Sequence, residues 1–439
     1  MVLLYTPQKT AKSGSMPVAE IFALDYQGLG IAKIDGKIWF VENALPTEKV
    51  QLRVIEEKRR HGFAASHRIL RASEVRQAPK CRYFEQCGGC QGQHIPIEMQ
   101  RRSKQQALVQ QLTELQTEPI EVMPMICGEP WQYRRRLRLS IMYNAKSQSL
   151  DIGLRRKNST QIVNIQQCEV IVPELNLLLP ELTALLRSFS APRLLGHIEL
   201  VAADNGIAML LRHHKNLAPK DRTLLLDFAR ERGIMLFVQD DRQLSRITEA
   251  NPLYRLPPAL ELNFDIRDFI QINAELNRRM VSTALDWLDL NQSDNVLDLF
   301  CGMGNFTLPL GRRAKSAIGI EGVEAMVEKA RINAEQNQCE NVKFYRTDLD
   351  KSFDDQPWAA CRFDKILLDP PRSGAAFALK ALCRLQARRI LYVSCNPATL
   401  VRDAALLLEA GYIIRRTAMI DMFPHTGHLE SMTLFVKKE

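Results

Sequence analysis

Four short apolar runs in the C-terminal part of the chain each carry an acidic residue at or near their end. These acids are Asp298, Glu321, Asp348 and Asp369. Stretches of helical character separate most of the runs, as parallel pairing of successive strands requires. Acids that follow parallel strands lie along the carboxyl edge of a sheet, where open α/β folds bind their ligands. The pattern predicts a Rossmann-like α/β domain with a polar binding site at that edge.

The first of these runs leads into a loop that carries Gly302 and Gly304. The loop lacks the third glycine of the fingerprint that brings a backbone close to a pyrophosphate, so a cofactor without a diphosphate fits it better than NAD. Glu321 follows at the spacing at which such folds hold ribose hydroxyls. Together these features favour S-adenosylmethionine as the cofactor.

Cys395 follows a further strand-like apolar run, residues 390–393. Pro397 suits the first turn of a helix, because its missing N–H would be unpaired there anyway. Cys395 therefore precedes a helix N-terminus, whose partial positive charge favours thiolate over thiol. We interpret Cys395 as a candidate nucleophile. The alternative is a buried, inert cysteine, which is common among free cysteines.

Three other cysteines, Cys81, Cys87 and Cys90, are spaced C-x5-C-x2-C, and two glycines between the last two let the backbone fold tightly. Cys168 is the candidate for a fourth ligand. Four thiolates fit a 4Fe–4S cluster or a tetrahedral zinc ion, although the five-residue gap is longer than is usual for zinc. The remaining cysteines are interpreted as packing residues: Cys127, Cys301, Cys339, Cys361 and Cys383.

Composition restricts the location and the class of partner. The net charge of +9 and the pI of about 9.0 favour a polyanionic partner. No apolar run approaches the ~18 residues of a membrane span, and the first residues show no signal-peptide core. We therefore expect a cytoplasmic protein, in which spaced cysteines more often hold a metal than form disulfides.

Residues 16–72 contain several short strand patterns, with a hairpin signal at Asp35-Gly36. They predict a small β-barrel. Lys58, Arg59 and Arg60 cluster in a turn. A small barrel with basic loops is typical of proteins that bind single-stranded RNA, and a merely solvated turn is the equally weighted alternative.

The middle of the chain reads as a mixed α+β domain. A helix is predicted near 96–117, with Arg101 and Lys104 on its polar side, and a strand with one basic face runs through Arg136 and Arg138. A Pro-rich stretch at 251–258 is interpreted as the link to the last domain. We expect three domains: a barrel over 1–73, a central domain with the metal-binding cysteines over 74–262, and a catalytic domain over 263–439. The helix near 96–120 is expected to pack on the catalytic domain.

Four segments carry a family resemblance: 298–306 (DLFCGMGNF), 368–372 (LDPPR), 394–399 (SCNPAT) and 428–430 (HLE). They resemble the RNA uracil-5-methyltransferases. The resemblance extends over the whole chain, since the N-terminal barrel is similar to a TRAM domain and the four cysteines are similar to that family's 4Fe–4S site. A chain with both features most resembles the branch that acts on 23S ribosomal RNA. This implies a 4Fe–4S cluster rather than zinc, S-adenosylmethionine as cofactor and a monomer bound to 23S ribosomal RNA.

The resemblance also implies individual roles. Cys395 would be the nucleophile and Glu430 the general base. The cofactor would be held by Gln271, Phe300, Asn305, Glu321, Asp348 and Asp369.

Such an enzyme works because addition of a thiolate at C6 gives the uracil ring carbanion character at C5. The target base must first leave its stack. Competing interpretations are a methyltransferase for tRNA uridine or for another rRNA base, an amino-group methyltransferase, and a non-catalytic iron–sulfur RNA-binding protein. A cytosine-5 methyltransferase would also use a cysteine, so the identity of the base rests on the resemblance. Asp369-Pro-Pro fits the amino-group class, but Arg372 stands where that class has an aromatic residue.

Overall fold

Three β-sheet units follow one another along the chain. The computed structural model describes residues 16–241, 243–351, 353 and 355–438, so the first fifteen residues of the predicted barrel domain lie outside the description. No helix within these ranges is long and apolar enough to cross a bilayer.

The first unit is a closed five-stranded barrel, as predicted. Asp35 and Gly36 both have positive φ, at 49° and 79°, which confirms the tight hairpin turn. Alternate residues such as Ile21, Val41 and Leu52 point inward and are buried. The strands are β1 (Val18–Leu24), β2 (Gly30–Ile34), β3 (Lys37–Glu42), β4 (Lys49–Glu57) and β5 (His61–Arg71).

Helix α1 (Ile97–Thr113) and strand β6 (Glu121–Val122) come next in the chain but pack on the last sheet, described below. Leu108 and Leu112 of α1 join the hydrophobic core of that sheet. Arg101 and Lys104, predicted on the polar side of this helix, are both buried and ion-paired to Asp421. A buried basic residue needs such a partner.

The second unit is a seven-stranded sheet with one helix-covered face. Leu137 and Leu139 are buried and Arg138 is exposed, which confirms the predicted strand. Arg136, the other residue of the predicted basic face, is half-buried and ion-paired to Glu199 at 3.0 Å. The strands are β7 (Arg136–Asn144), β8 (Ser149–Arg155), β9 (Ile162–Asn164), β10 (Leu195–Ala203), β11 (Gly206–His213), β12 (Met235–Gln239) and β13 (Leu244–Arg246), and the helices are α2 (Pro173–Arg187) and α3 (Pro219–Glu231).

The Pro-rich stretch is a hairpin and not a linker, so that prediction is wrong. Strands β14 (Leu253–Leu256) and β15 (Leu260–Asn263) pair antiparallel. Their apolar side chains, including Tyr254 and Leu262, join the core of the catalytic sheet. Pro257 and Pro258 lie in the turn between the strands, where a missing N–H costs no ladder hydrogen bond.

The third unit is an eight-stranded sheet in the order β18-β17-β16-β19-β20-β22-β21-β6. Its first five strands are parallel, and β22 inserts antiparallel between β20 and β21. This confirms the Rossmann-like prediction. The strands are β16 (Asn295–Leu299), β17 (Ser316–Glu321), β18 (Val342–Arg346), β19 (Lys365–Leu368), β20 (Arg389–Ser394), β21 (Tyr412–Ile420) and β22 (Glu430–Lys437), and the helices are α4 (Ala274–Leu288), α5 (Thr307–Arg313), α6 (Glu324–Gln336), α7 (Ala376–Leu382) and α8 (Pro397–Glu409).

Gly153→Ala is expected to destabilise the central sheet. A Cβ at this position in β8 would lie 1.9 Å from the carbonyl oxygen of Val163 in β9, and backbone cannot yield as a flexible side chain can. We expect the free energy of unfolding to fall by about 2–3 kcal/mol, measured by urea denaturation. The matched control is Gly196→Ala in β10 of the same sheet, whose Cβ would meet its nearest atom at 3.5 Å. Equal urea midpoints for the two variants would contradict the close approach of β8 and β9.

Candidate active site

Cys395 and Glu430 meet at one edge of the catalytic sheet. Strands β20 and β22 pair antiparallel up to the pair Ser394–Ser431. Cys395 directly follows the last residue of β20, and Glu430 is the first residue of β22. Both side chains line a cavity of about 610 Å³. The pairing register therefore brings together two residues that the sequence separates widely.

Four of the predicted cofactor residues line the same cavity. They are Gln271, Phe300, Glu321 and Asp369. The last three lie at the carboxyl ends of β16, β17 and β19, which is the edge where open α/β sheets bind ligands.

Asn305 and Asp348 have other partners and are not among the lining residues of the cavity. The side-chain oxygen of Asn305 accepts hydrogen bonds from the Tyr254 hydroxyl at 3.1 Å and from Asn277 at 3.0 Å. Asp348 follows β18 and forms an ion pair with Lys351 at 2.9 Å. The structure thus separates these two side chains from the other four.

The loop after β16 is held by Glu321. The two oxygens of this carboxylate accept hydrogen bonds from the N–H groups of Gly302, at 3.2 Å, and Val323, at 3.0 Å. Phe300 has φ of +62°, a left-handed conformation that non-glycine residues adopt only where the surroundings enforce it. The loop is therefore a preformed turn beside the cavity.

Burial raises the pKa of two carboxyl groups that line the cavity, Asp369 and Glu430. It raises the pKa of Asp369 to about 7. Burial, with a smaller contribution from Asp369, raises the pKa of Glu430 to about 8, against the opposing effect of Lys104 and Arg372. Burial also raises the pKa of Asp298, beneath the cavity in β16, to about 8. These groups lose their protons one at a time.

The expectation that a helix N-terminus favours the thiolate of Cys395 is wrong for the protein alone. Helix α8 does begin at Pro397, and the side chain of Asn396 caps it by accepting the Ala398 N–H at 3.1 Å. Burial and then the charge of Glu430 nevertheless raise the pKa of Cys395 to about 11. Removal from water outweighs the helix terminus.

Sequence reasoning assigned no role to several other residues at the site. Arg372 and His428 both line the cavity, with 3.1 Å between Arg372 Nη2 and His428 Nδ1. Their positions inside two of the recognised motifs were an available signal. Phe269 lies at the cavity with 73% of its surface exposed, and Phe423 lines the wall. Neither aromatic belongs to a pattern that predicts its place.

The four predicted metal ligands also come together. Cys81, Cys87, Cys90 and Cys168 are unpaired thiols that line one cavity of about 180 Å³ in the central region. The side chain of Asn176 fixes Cys168 by accepting its N–H at 2.9 Å and donating to its carbonyl oxygen at 3.0 Å. Across the described part of the chain, no three His, Cys, Asp or Glu side chains are placed to hold a single metal ion. The thiols surround a space instead of meeting at a point.

Comparison with protein-family models shows the family of the chain. The model of the tRNA (uracil-5-)-methyltransferase family matches residues 97–438, and the TRAM domain model matches residues 18–65. The chain belongs to this methyltransferase family. The resemblance predicted from the four motifs is thereby confirmed.

Relatives of known name match the whole chain. The 23S rRNA (uracil(1939)-C(5))-methyltransferase RlmD of Mannheimia succiniciproducens is 64% identical, with all of both chains covered. The protein of the same name from Erwinia tasmaniensis is 45% identical, again over all of both chains. The solved structure of the Pyrococcus abyssi tRNA (uracil-54, C5)-methyltransferase in complex with S-adenosyl-L-homocysteine superposes with a TM-score of 0.73 at 23% identity, covering 96% of this chain and all of that one. That structure supports the fold.

Alkylation of Cys395 by iodoacetamide is expected to be slow at pH 8 and to accelerate toward pH 11, since only the thiolate reacts and the pKa of Cys395 is about 11. A cation in the cavity stabilises the thiolate. Bound S-adenosylmethionine, which is cationic, should therefore shift the pH dependence of the alkylation rate to lower pH than neutral S-adenosylhomocysteine does. The measurement is the alkylation rate at Cys395 by peptide mass spectrometry, with exposed Cys361 as internal control. Identical profiles with the two compounds would contradict this electrostatic account.

Proposed function

We propose that this protein transfers a methyl group from S-adenosylmethionine to C5 of uridine 1939 in 23S ribosomal RNA, through a covalent bond between Cys395 and C6 of the base. The target number is that of the full-length relatives. The observation that carries the chemistry is the juxtaposition of a thiol and a buried carboxyl, Cys395 and Glu430, in one cavity that is also lined by acids from the ends of two parallel strands.

The cavity suits the proposed cofactor. Glu321 stands at the end of β17, where Rossmann-like folds bind ribose hydroxyls, and Gln271, Phe300 and Asp369 complete the wall. We assign these four residues to the cofactor. Asp348 is assigned to the adenine end of the cofactor. Asn305 is assigned to support of the loop after β16. Bound S-adenosylmethionine supplies a methyl group on a sulfonium.

Cys395 starts the reaction. Its sulfur forms a bond to C6 of the uracil, and the electron pair of the C5–C6 double bond moves toward C5 and the O4 carbonyl. C5 becomes nucleophilic enough to take the methyl group, provided that the donor carbon lies in line with it. Arg372 lowers the pKa of Cys395 and so supports the ionised thiol that this step consumes.

Glu430 completes the reaction. After methylation, C5 carries both the new methyl group and the original hydrogen. Removal of that hydrogen as a proton restores the C5–C6 double bond and expels the cysteine sulfur. A carboxylate whose pKa is raised to about 8 is a stronger base than a solvated glutamate, and burial keeps it out of competition with water. Glu430 is therefore assigned as the general base.

The RNA must present a base that is outside its stack. The exposed ring of Phe269 stands at the cavity. The barrel and the basic face of β7, which includes Arg138, are assigned to the flanking RNA, because single-stranded RNA is held by basic and aromatic surfaces. We propose that the protein acts as a cytoplasmic monomer with three domains, 1–73, 74–262 and 263–439. The segment that contains α1 and β6 belongs to the last of them by its packing.

Cys395→Ala is expected to lower methyl transfer to a 23S ribosomal RNA transcript by at least about 10³-fold, because the C6 adduct no longer forms. RNA binding, which depends on other surfaces, should stay within about twofold. The measurement is tritium transfer from labelled S-adenosylmethionine, with the methylated base mapped by sequencing and tRNA transcripts as competing substrates. Cys361→Ala, at an exposed cysteine, is the control. Turnover by Cys395→Ala, or methylation only of tRNA, would overturn the assignment.

The four cysteines are proposed to hold a 4Fe–4S cluster. The thiols are unpaired and line one cavity. A zinc ion would draw its four sulfurs to about 2.3 Å from one point, whereas a cubane spreads its ligands over a larger space. Because the four thiols line a cavity, we favour the cluster over zinc. Such a cluster would be structural, since the methyl transfer described above moves no electrons to or from a metal.

Cys81→Ser is expected to lower bound iron clearly below about four atoms per chain, because the variant loses one of the four thiolate ligands of the cubane. The measurements are iron, zinc and sulfide analysis of anaerobically purified protein and its visible absorption spectrum. The control variant is Cys361→Ser. Stoichiometric zinc in the unmodified protein, or unchanged iron in Cys81→Ser, would contradict the cluster.

A further inference from the structure

The segment from Asp421 to Glu430, the catalytic segment, connects β21 to the proposed general base. Phe423 and His428 of this segment line the active-site cavity. Its first residue is anchored to α1, because the buried carboxylate of Asp421 accepts hydrogen bonds from Lys104 Nζ and from Arg101 Nε, both at 3.0 Å. Glu430 itself begins β22 and pairs with Ile420 of β21, so the catalytic segment is a loop closed at both ends by the sheet and tied to a helix from a distant part of the sequence.

Gln100, on the same side of α1, holds the middle of the catalytic segment. Its Oε1 accepts the backbone N–H of His425 at 3.0 Å. Its Nε2 donates to the carbonyl oxygens of Gly92 at 2.9 Å and Ile95 at 2.8 Å, and lies 3.2 Å from His425 Nδ1. Oε1 and Nε2 of Gln100 thus form hydrogen bonds to two chain segments, and only an amide side chain has both such an acceptor and such a donor group.

The segment that contains Gly92 and Ile95 follows directly after Cys90. The N–H groups of Gln91 and Gly92 donate to the carbonyl oxygen of His425 at 2.8 Å and 3.0 Å. His425 has φ of +63°, and its ring stacks on Trp131 with 4.0 Å between ring centres. A left-handed histidine persists only where its surroundings determine its conformation, and these bonds from Gln91, Gly92 and Gln100 do so.

We propose that Gln100 is a positioning residue for the second half of the reaction: it fixes the catalytic segment so that Glu430 reaches the C5 proton of the methylated adduct. The inference rests on the proposed function. The hydrogen bonds of Gln100 end on the residues around Gly92 and on His425, whereas Cys395 is positioned by β20 and the cap of α8. Loss of Gln100 should therefore slow resolution of the adduct and spare its formation.

The expected magnitude follows from geometry. Proton transfer requires the base to be within hydrogen-bond reach of the proton, and a displacement of about 1 Å at a reacting group costs up to about 10²-fold in rate. We expect Gln100→Met, which keeps the length of the side chain, to slow release of methylated RNA by about 10-fold or more. Adduct formation should change by less than about threefold, which separates positioning from a general loss of stability.

Two RNA substrates separate the two halves of the reaction. With 5-fluorouridine at the target position, thiol addition and methylation proceed, but C5 carries fluorine in place of the removable hydrogen and the protein stays covalently attached. The rate of this trapping, followed on denaturing gels, reports every step before Glu430 acts. With normal uridine, the fraction of protein in a transient covalent adduct and the steady-state rate report the release step. Gln110→Met, at an exposed glutamine of the same helix, is the matched control.

The proposal predicts that Gln100→Met traps 5-fluorouridine RNA at nearly the unmodified rate, yet accumulates covalent adduct on uridine RNA, as Glu430→Gln should. Gln110→Met should resemble the unmodified protein in both assays. If Gln100→Met fails to trap, Gln100→Glu, which keeps the acceptor for the His425 N–H, is measured in the same way. The positioning role is overturned if Gln100→Met and Gln100→Glu each slow trapping as much as they slow release, or if they slow neither. Failure of the unmodified protein to trap 5-fluorouridine RNA would instead overturn the proposed function.

Discussion

The antiparallel pairing of β20 with β22 is the contact on which the site depends. Five parallel strands bring their carboxyl ends to one edge of the sheet, so each can deliver a residue that follows a strand, as Cys395 does. Only an antiparallel strand brings its first residue to that same edge. Glu430 is such a residue. The reversed strand therefore lets the sheet place a nucleophile and a base side by side without a long loop.

Burial raises the pKa of both catalytic groups, that of Glu430 to about 8 and that of Cys395 to about 11. The charge of Glu430 raises the pKa of Cys395, but a Glu430 with a pKa of about 8 is mostly neutral at pH 7. The neutral carboxyl is thus the state in which a thiolate forms most readily beside it. Once the sulfur is bound to carbon it carries no charge, and the carboxyl can lose its proton without an anionic neighbour.

The sequence identified those parts of the molecule that local patterns encode. Apolar runs that end at Glu321 and Asp369, the Asp35-Gly36 turn and the close spacing of the first three predicted metal ligands each arise from a few neighbouring residues, and the fold agrees with them. The confirmed family likewise rests on short motifs.

Features set by distant contacts escaped prediction. Arg101 and Lys104 have the spacing of an ordinary solvated helix face, and only Asp421, more than 300 positions later, makes their burial possible. The pKa of Cys395 depends on water exclusion by several elements, while a sequence shows only the adjacent helix. The Pro-rich stretch at 251–258 is interpreted from the sequence as a link, but whether such a stretch belongs to a linker or to a buried hairpin is decided by what packs on its flanks.

The chain order of the last strands has a consequence for biosynthesis. Strand β22 lies between β20 and β21 in the sheet but is synthesised after both. A growing chain can form the five parallel strands and the pocket edge first, while the slot between β20 and β21 waits for its occupant. Because domains generally fold as units, the thiol and its carboxyl neighbour are brought together only after β22 has been synthesised and has paired with both strands.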